Sequence, residues 1–245
     1  MANAPASAPV NVTELAAIVR DARSARTPLR IVGAGAWSGP GSPAARIVPA
    51  ATPVSLAAMA GIVAYVPDDL TLTVRAGTSL AEVNAATAAH NQWCPLLPWG
   101  DDAGTVGATF GTATTGPCAA ALGRPRDIAL GVEFVDGTGA VARGGGRVVK
   151  NVAGFDLTRL MVGAFGTVGV ITEVTVRLRA RPPVDVTLCA SPARDDAESA
   201  NALAATLRGA AVAPIACEAL SGDVAARLAL PAHTVLVRYA GNRAL

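Results

Sequence analysis

Three stretches of this chain combine residue types that can cradle a phosphate or a flat ring. The first is Val32-Gly33-Ala34-Gly35-Ala36-Trp37, which continues through Ser38, Gly39, Pro40 and Gly41. A short apolar strand runs into glycines that can turn successive backbone N–H groups onto a phosphate. A dinucleotide fingerprint of the G-x-G-x-x-G kind does not fit. Ser38 stands at the third glycine, Gly39, Pro40, Gly41 and Pro43 forbid the long helix, and no acidic residue follows about twenty positions on. An ordinary surface loop accounts for the same residues equally well.

The second stretch holds Pro98-Trp99-Gly100, then Gly104-Thr105-Val106-Gly107-Ala108-Thr109, and reaches Gly116-Pro117. Its small residues are expected to bury little and build no core. They suit a flat ring lying on backbone amides, with threonine hydroxyls as donors; a flexible loop is the alternative. The third stretch holds Lys150-Asn151 and Gly154-Phe155-Asp156, then Gly163-Ala164-Phe165-Gly166-Thr167-Val168-Gly169, then Val170 and Ile171. Lys150 is the only lysine of the chain. It supplies a compact charge that can order a loop or meet an acid, although an arginine-biased composition explains it as simply. Asp156 is expected to be the N-cap of a helix over 157–161 rather than a catalytic group. His90 closes a helix, where it can answer the helix dipole, and His233 sits in a loop. Neither has a carboxylate nearby in sequence, and neither is expected to act as a base. No nucleophile elbow, metal-ligand cluster or Walker motif is present.

Regular elements must hold these stretches in place. Asn11 and Glu14 stand at capping-box spacing before Leu15, Ile18, Val19 and Ala22, which predicts an amphipathic helix ending near Ser24. Strands are expected at 29–32, 46–48, 62–66 and 71–75. Ser79 and Glu82 cap a second helix striped by Leu80, Val83 and Thr87. The alternation Ile128, Leu130, Val132, Phe134 predicts a strand, turned by 136–139 into a return strand from Val141. From Val168 the even positions run Val168, Val170, Thr172, Val174, Val176, Leu178, which predicts a half-buried strand stopped at Pro182-Pro183. Beyond it, 184–189, 195–208, 215–220, 223–230 and 234–239 read as β-α-β-α-β. On the last strand Val235, Val237 and Tyr239 form an apolar face that is expected to need a partner's cover.

Composition bounds the possibilities. The chain has 245 residues, 51% hydrophobic and 16% charged, enough for one large or two small compact domains. Aromatic residues make up 4%, so the core must rest on Ala, Val and Leu. A net charge of +2 with no basic run leaves no electrostatic footprint for nucleic acid. The N-terminal residues do not form a secretory signal, and no apolar run is long enough to span a bilayer. Cys94, Cys118, Cys189 and Cys217 are widely spaced, which fits reduced, packed thiols of a cytoplasmic protein.

The segment KNVAGFD from Lys150, followed by RLMVGAFGTVGVITEV from Arg159, resembles the FAD-binding subunits of bacterial glycolate oxidases. These belong to the flavoprotein family of the vanillyl-alcohol oxidase and p-cresol methylhydroxylase type. The resemblance runs from roughly Thr13 to Pro183. It implies an α+β, two-subdomain FAD-binding fold followed by a truncated α/β cap domain. The FAD-binding domain would cover 1–183, with subdomains at about 11–67 and 68–183 meeting near Pro67, and the partial cap 184–245.

The resemblance also assigns roles. It places the FAD pyrophosphate on Val32, Gly33, Ala34, Gly35, Ala36 and Trp37. It lines the flavin with Pro98, Trp99, Gly100, Thr105, Val106, Gly107, Ala108, Thr109 and Gly116. Gly169, Val170 and Ile171 fall along the flavin side of the final strand, and Lys150, Asn151 and Asp156 near the active-site edge. Arg126-Asp127 matches as well. The loop from Gly33 to Gly41 has no histidine, so the FAD is expected to be non-covalent. The implied activity is oxidation of a 2-hydroxy acid such as glycolate by hydride transfer to flavin, with the catalytic base unassigned. Electrons would leave through a second FAD subunit and an iron–sulfur subunit, with peripheral docking on a membrane open. The alternative is a flavin-holding or structural subunit whose partner does the chemistry.

Overall fold

The structure, a computed structural model, describes residues 7–35, 51–96, 98, 103–146 and 155–242. The strand expected at 46–48 lies outside the described residues. The chain divides into two compact units, one of Met1–Thr115 with Arg124–Ala180, the other of Gly116–Gly123 with Arg181–Leu245.

In the first unit, helix α1 (Val12–Ala25) starts at the N-cap Asn11, whose side chain accepts from Glu14 N. Glu14 answers by accepting from Val10 N at 3.0 Å and from Asn11 Nδ2 at 2.8 Å. Strand β1 (Leu29–Val32) pairs in parallel with β2 (Thr52–Ser55). Strand β2 is short, starts next to Pro53 and lacks alternation, so the sequence pattern does not mark it. Five further strands follow: β3 (Ile62–Val66), β4 (Thr71–Arg75), β6 (Ala129–Asp136), β7 (Val141–Gly145) and β8 (Gly169–Arg177). They form one antiparallel sheet in the order β3-β4-β8-β6-β7. Because β3 pairs with β4, it belongs to the five-stranded sheet, and the two sheets part between Ser55 and Ile62. A minor pair, β5 (Gln92–Trp93) with β9 (Arg179–Ala180), completes the unit's strands. Helix α2 (Leu80–Ala88) has the expected capping box, with Ser79 N donating to Glu82 Oε2 and Glu82 N to Ser79 Oγ.

Strands β6 and β8 depart from the half-buried pattern. In β6 every residue from Gly131 to Val135 is buried, and in β8 so are Gly169–Thr172 and Val174–Val176. Both strands are interior to the sheet, with neighbours on each side and helices packed against them, so both faces are covered. The alternation in β8 is also interrupted. Glu133 pairs with Glu173 while Phe134 pairs with Ile171, so Thr172 and Glu173 together oppose the single Glu133. This β-bulge swings Thr172 onto Glu133's side of the sheet. Val168 precedes the strand and is exposed rather than in the core.

The stretch expected to build no core holds part of it. Helix α3 (Val106–Thr112) lies within it, and Phe110 is fully buried together with Val106 and Thr109. Thr105 is its N-cap, and Val106 and Phe110, one turn apart, give it an apolar side. Two short helices follow in this unit. The first, α5 (Pro125–Ile128), has Arg124 N donating to Asp127 Oδ2; the second, α6 (Leu157–Met161), is capped by Asp156 as expected.

In the second unit, β10 (Val184–Ala190), β11 (Ala216–Ala219) and β12 (Val235–Gly241) form an antiparallel sheet in the order β10-β12-β11. Helix α7 (Ala197–Arg208) packs Ala200 and Ala204 onto Val235, and α8 (Gly222–Arg227) precedes β12. Val235 is therefore covered by α7, and Val237 is buried as well, so the cover expected from a partner is supplied for both within the chain. Leu188 and Val186 on the edge strand β10 stay exposed. Arg238 grips Asp185 with two hydrogen bonds of 2.7 and 2.6 Å, which hold that carboxyl below its usual range. Arg238 also meets Cys118, at the N-cap of α4 (Ala119–Leu122), and burial pushes that thiol up. This contact ties 116–123 to the second unit. Cys94, in the first unit, is raised by burial to about 12, as expected of a packed, inert thiol.

Replacing Phe110 by alanine removes a fully buried ring from the helix that carries the second stretch. The expected loss is about 3–5 kcal/mol of stability in the first unit, read from urea unfolding. A loss below about 1 kcal/mol would contradict the core role given to α3.

Candidate functional site

The site grows from the end of β1. Val32, half-buried, is the last residue of that strand, and Gly33, Ala34 and Gly35 turn away from it. Among the described residues, the N–H groups of these three residues donate to no protein acceptor. Ala34 and Gly35 are exposed. Gly33 O accepts from Ser55 Oγ of β2 at 3.2 Å, which anchors the loop's first carbonyl. Gly35 has φ +81°, a left-handed conformation that side chains resist, and a β-carbon there would meet open space. Three N–H groups without acceptors among the described residues, on a turn of this kind, fit an anion such as a pyrophosphate.

The second stretch comes to the same place. A β-carbon on Gly33 would collide with Thr105 Oγ1 and lie 3.0 Å from its Cγ2. The absence of a side chain at Gly33 thus lets the β1 loop touch the start of α3. Thr105 is 2% exposed, and its hydroxyl accepts from Ala108 N at 3.3 Å. Gly107 is pressed against Ala76, the residue after β4, and its N–H donates to Ala76 O at 2.8 Å. Val106 N donates to Thr78 O at 2.8 Å.

The threonine hydroxyls, expected as donors to a ring, are engaged within the protein. Thr109 Oγ1 donates to Thr105 O at 3.0 Å and Thr112 Oγ1 to Ala108 O at 2.7 Å. Val106 and Thr109 turn their side chains into the core, while Gly107 and Ala108 are partly exposed.

The glycine-rich loop before β8 joins from the far end of α3. Gly163 N donates to Phe110 O at 2.9 Å and Phe165 N to Gly111 O at 2.8 Å. A β-carbon on Gly166 would stand 3.5 Å from Ile31 Cγ1 of β1. Gly169 is buried against β6, where a β-carbon would sit 2.8 Å from Val135 O. Val170 and Ile171 are core residues at 6% and 5% exposure. What these three offer is backbone at the start of β8, not side chains.

The structure thus brings Val32–Gly35, Thr105–Thr109 and the approach to β8 together in one unit. Gly116 lies in the second unit. Pro98 is half-buried in a loop. Ala36, Trp37, Trp99, Gly100, Lys150 and Asn151 lie outside the described residues.

Sequence reasoning passed over the residues behind this site. Glu133 is 6% exposed and accepts from Thr172 Oγ1 at 2.8 Å and from Arg143 Nε at 2.8 Å. Across the sheet Arg75 pairs with Glu173, Glu173 with Glu133, and Glu133 with Arg143, so four charged residues cross four strands. Burial, and then the neighbouring Glu133, push the Glu173 carboxyl up. A buried acid within an otherwise apolar strand was the available signal. The histidines are accounted for: His90 packs edge-on against Tyr65, and His233 Nδ1 meets Asp195 Oδ1 at 2.9 Å. That carboxylate, far away in sequence, was not anticipated. Among the described residues no cluster of metal ligands occurs, and no helix is long and apolar enough to cross a membrane.

A profile of the FAD binding domain family matches residues 6–145. This chain belongs to that family. FAD is accordingly its cofactor, and the α+β FAD-binding fold expected from the resemblance is the one found. Glycolate oxidase subunit GlcE of Escherichia coli (strain K12) is 41% identical over 130 residues, covering 52% of this chain and 37% of that protein. Glycolate oxidase subunit GlcD of Bacillus subtilis (strain 168) is 35% identical over 123 residues, 50% of this chain and 26% of that protein. D-lactate dehydrogenase of Archaeoglobus fulgidus is 36% identical over 103 residues, 42% of this chain and 23% of that protein. Each match thus spans well under half of the relative's length. Among solved structures, alkyldihydroxyacetonephosphate synthase aligns over 97% of this chain and 47% of its own, with a TM-score of 0.75 at 15% identity. That likeness concerns the fold alone.

Gly35→Val tests the cradle. The β-branched residue at φ +81° should cost about 1–3 kcal/mol of local strain while the unit still folds. Pulling two N–H groups off a pyrophosphate should weaken FAD binding by at least about a hundredfold. Flavin-fluorescence titration beside a thermal melt reads both; undiminished affinity would rule out the assignment.

Proposed function

We propose that the chain is the FAD-binding part of an oxidoreductase that oxidises a small 2-hydroxy acid, glycolate being the first candidate. The observation that carries this is the meeting of the Gly33–Gly35 loop with the Thr105–Thr109 segment, in a member of an FAD-binding family. The relatives support the substrate class: their names cite glycolate oxidase and D-lactate dehydrogenase, whose substrates are 2-hydroxy acids.

In this reading the N–H groups of Gly33, Ala34 and Gly35 bind the pyrophosphate, with Val32, Ala36 and Trp37 flanking it. The partly exposed Gly107 and Ala108 support the flavin through backbone, together with Pro98, Trp99 and Gly100. Gly169, Val170 and Ile171 contribute main chain, and Lys150 and Asn151 stand at the substrate edge. FAD, when bound, supplies the two-electron acceptor for converting the hydroxy acid to its oxo acid. The chain's own part is to bind and orient it and to keep water from the reacting edge.

Residues 1–183 form the FAD-binding domain in this reading, one subdomain built on β1 and β2 and the other on the five-stranded sheet. Residues 184–245 form a partial cap. The word subunit in the relatives' names supports a hetero-oligomer, in which a second FAD subunit and an iron–sulfur subunit take the electrons onward. The proposed location is the cytoplasm, with peripheral docking on the membrane.

The loop from Gly33 to Gly41 holds no histidine, so the FAD should be non-covalent. Acid precipitation of the purified yellow protein should release all colour to the supernatant. Colour retained in the pellet would overturn that assignment. Anaerobic glycolate should bleach the band near about 450 nm expected of bound flavin. A flavin-loaded chain, assembled with its partner subunits, that neither glycolate nor D-lactate bleaches would exclude the oxidase reading and leave a flavin-holding role.

A further inference from the structure

We propose that Glu133 and Thr172 are positioning residues for the FAD cradle, acting through the bulge in β8 and the start of α3. The inference rests on the FAD assignment above and adds residues that touch no cofactor. The path is a run of hydrogen bonds. Glu133 Oε1 accepts from Thr172 Oγ1 at 2.8 Å. Thr172 O accepts from Ala76 N at 2.8 Å, and Ala76 O accepts from Gly107 N at 2.8 Å. Gly107 stands in the first turn of α3, next to Thr105, and Thr105 fills the space left by the missing side chain of Gly33.

The bulge makes the first link of the path, from Glu133 to Thr172, possible. In an unbroken strand Thr172 would face away from Glu133, as its neighbours in register do. The extra residue brings its hydroxyl onto the acid, while its carbonyl continues the β4–β8 register and accepts from Ala76 N. A hydroxyl held by a buried carboxylate is a strong, directional bond. Arg143 bonds the other oxygen of the same carboxylate, which fixes Glu133 in place. The bulged Thr172, held by Glu133, therefore ties the acid to Ala76, and Ala76 holds Gly107 in the first turn of α3.

Three variants of the chain test this, read by FAD dissociation constant, the circular dichroism of bound flavin, and the melting point of the apoprotein. Thr172→Val keeps the shape and removes the hydroxyl; the FAD dissociation constant should rise about tenfold, and the flavin dichroism should change. Thr172→Ser restores the hydroxyl and should stay within about twofold of the parent. Thr175→Val is the control. It breaks the 2.9 Å bond between Thr73 and Thr175 in the same sheet, away from Ala76. It should lower the melting point but leave flavin affinity and dichroism unchanged. Parent-like affinity and dichroism in Thr172→Val, with only a lower melting point, would overturn the proposal. So would an equal loss of affinity in Thr175→Val. Should Thr172→Val fail to fold, Glu133→Gln is read in the same way, with a rise of about threefold or more expected and no rise counting against the proposal. A parent that binds no FAD would instead refute the cofactor assignment, and with it this inference.

Discussion

The first unit depends on one close approach, that of Gly33 to Thr105. The β1 loop and the start of α3 can touch only because Gly33 has no side chain; a β-carbon there would collide with the threonine hydroxyl. From that contact the rest of the site is placed. The loop's N–H groups are free of protein acceptors among the described residues. The first turn of α3 is brought beside them. Most of the unit's architecture serves to hold these two backbones at that spacing.

Two layers enforce it. The nearer layer is Ala76 with Gly107, where a second missing side chain lets α3 sit on the end of β4. The farther layer is the interior of the five-stranded sheet, where β8 bulges at Thr172 and a buried acid holds the bulge in place. Phe110 locks the helix from below, in a core shared with Leu72, Val74 and Val174. A rigid bed of this kind suits cofactor chemistry, in which the protein supplies orientation and not reacting groups. Thr109 and Thr112 commit their hydroxyls to helix carbonyls, which in the proposed reading leaves binding to main-chain groups.

Much of this was legible in the sequence, for local reasons. Capping boxes at Asn11 and Ser79 mark α1 and α2, because a side chain three residues from its partner must close a helix end. Asp156 marks α6 in the same way. The glycines of the first and third stretches point to close approach, which Gly33 and Gly169 show, while Gly35 and Gly166 instead hold positive φ. What escaped is long-range. Helix α3 hides in a run of small residues, although Thr105 as N-cap and the Val106–Phe110 spacing were present to be noticed. The bulge leaves no mark in the alternation, since Thr172 takes a valine-like place in the pattern. The cover of Val235 depends on how α7 returns over its own sheet, which no local pattern states. The pairing of Gly33 with Thr105 joins residues far apart in the chain, and only the folded backbone reveals it.

The most direct test is a double-mutant cycle on FAD affinity between Gly33 and Thr105. Gly33→Ala should weaken binding at least about tenfold, or about 1.4 kcal/mol. Thr105→Ala alone loses a helix cap, a cost of about 1 kcal/mol, and should weaken binding slightly. If their contact sets the site, removing the threonine's outer atoms makes room for the new methyl. The double variant should then bind FAD more tightly than Gly33→Ala alone, with a coupling of about 1 kcal/mol or more. Effects that add to within about 0.5 kcal/mol would show that the two residues act independently and that this contact does not organise the site.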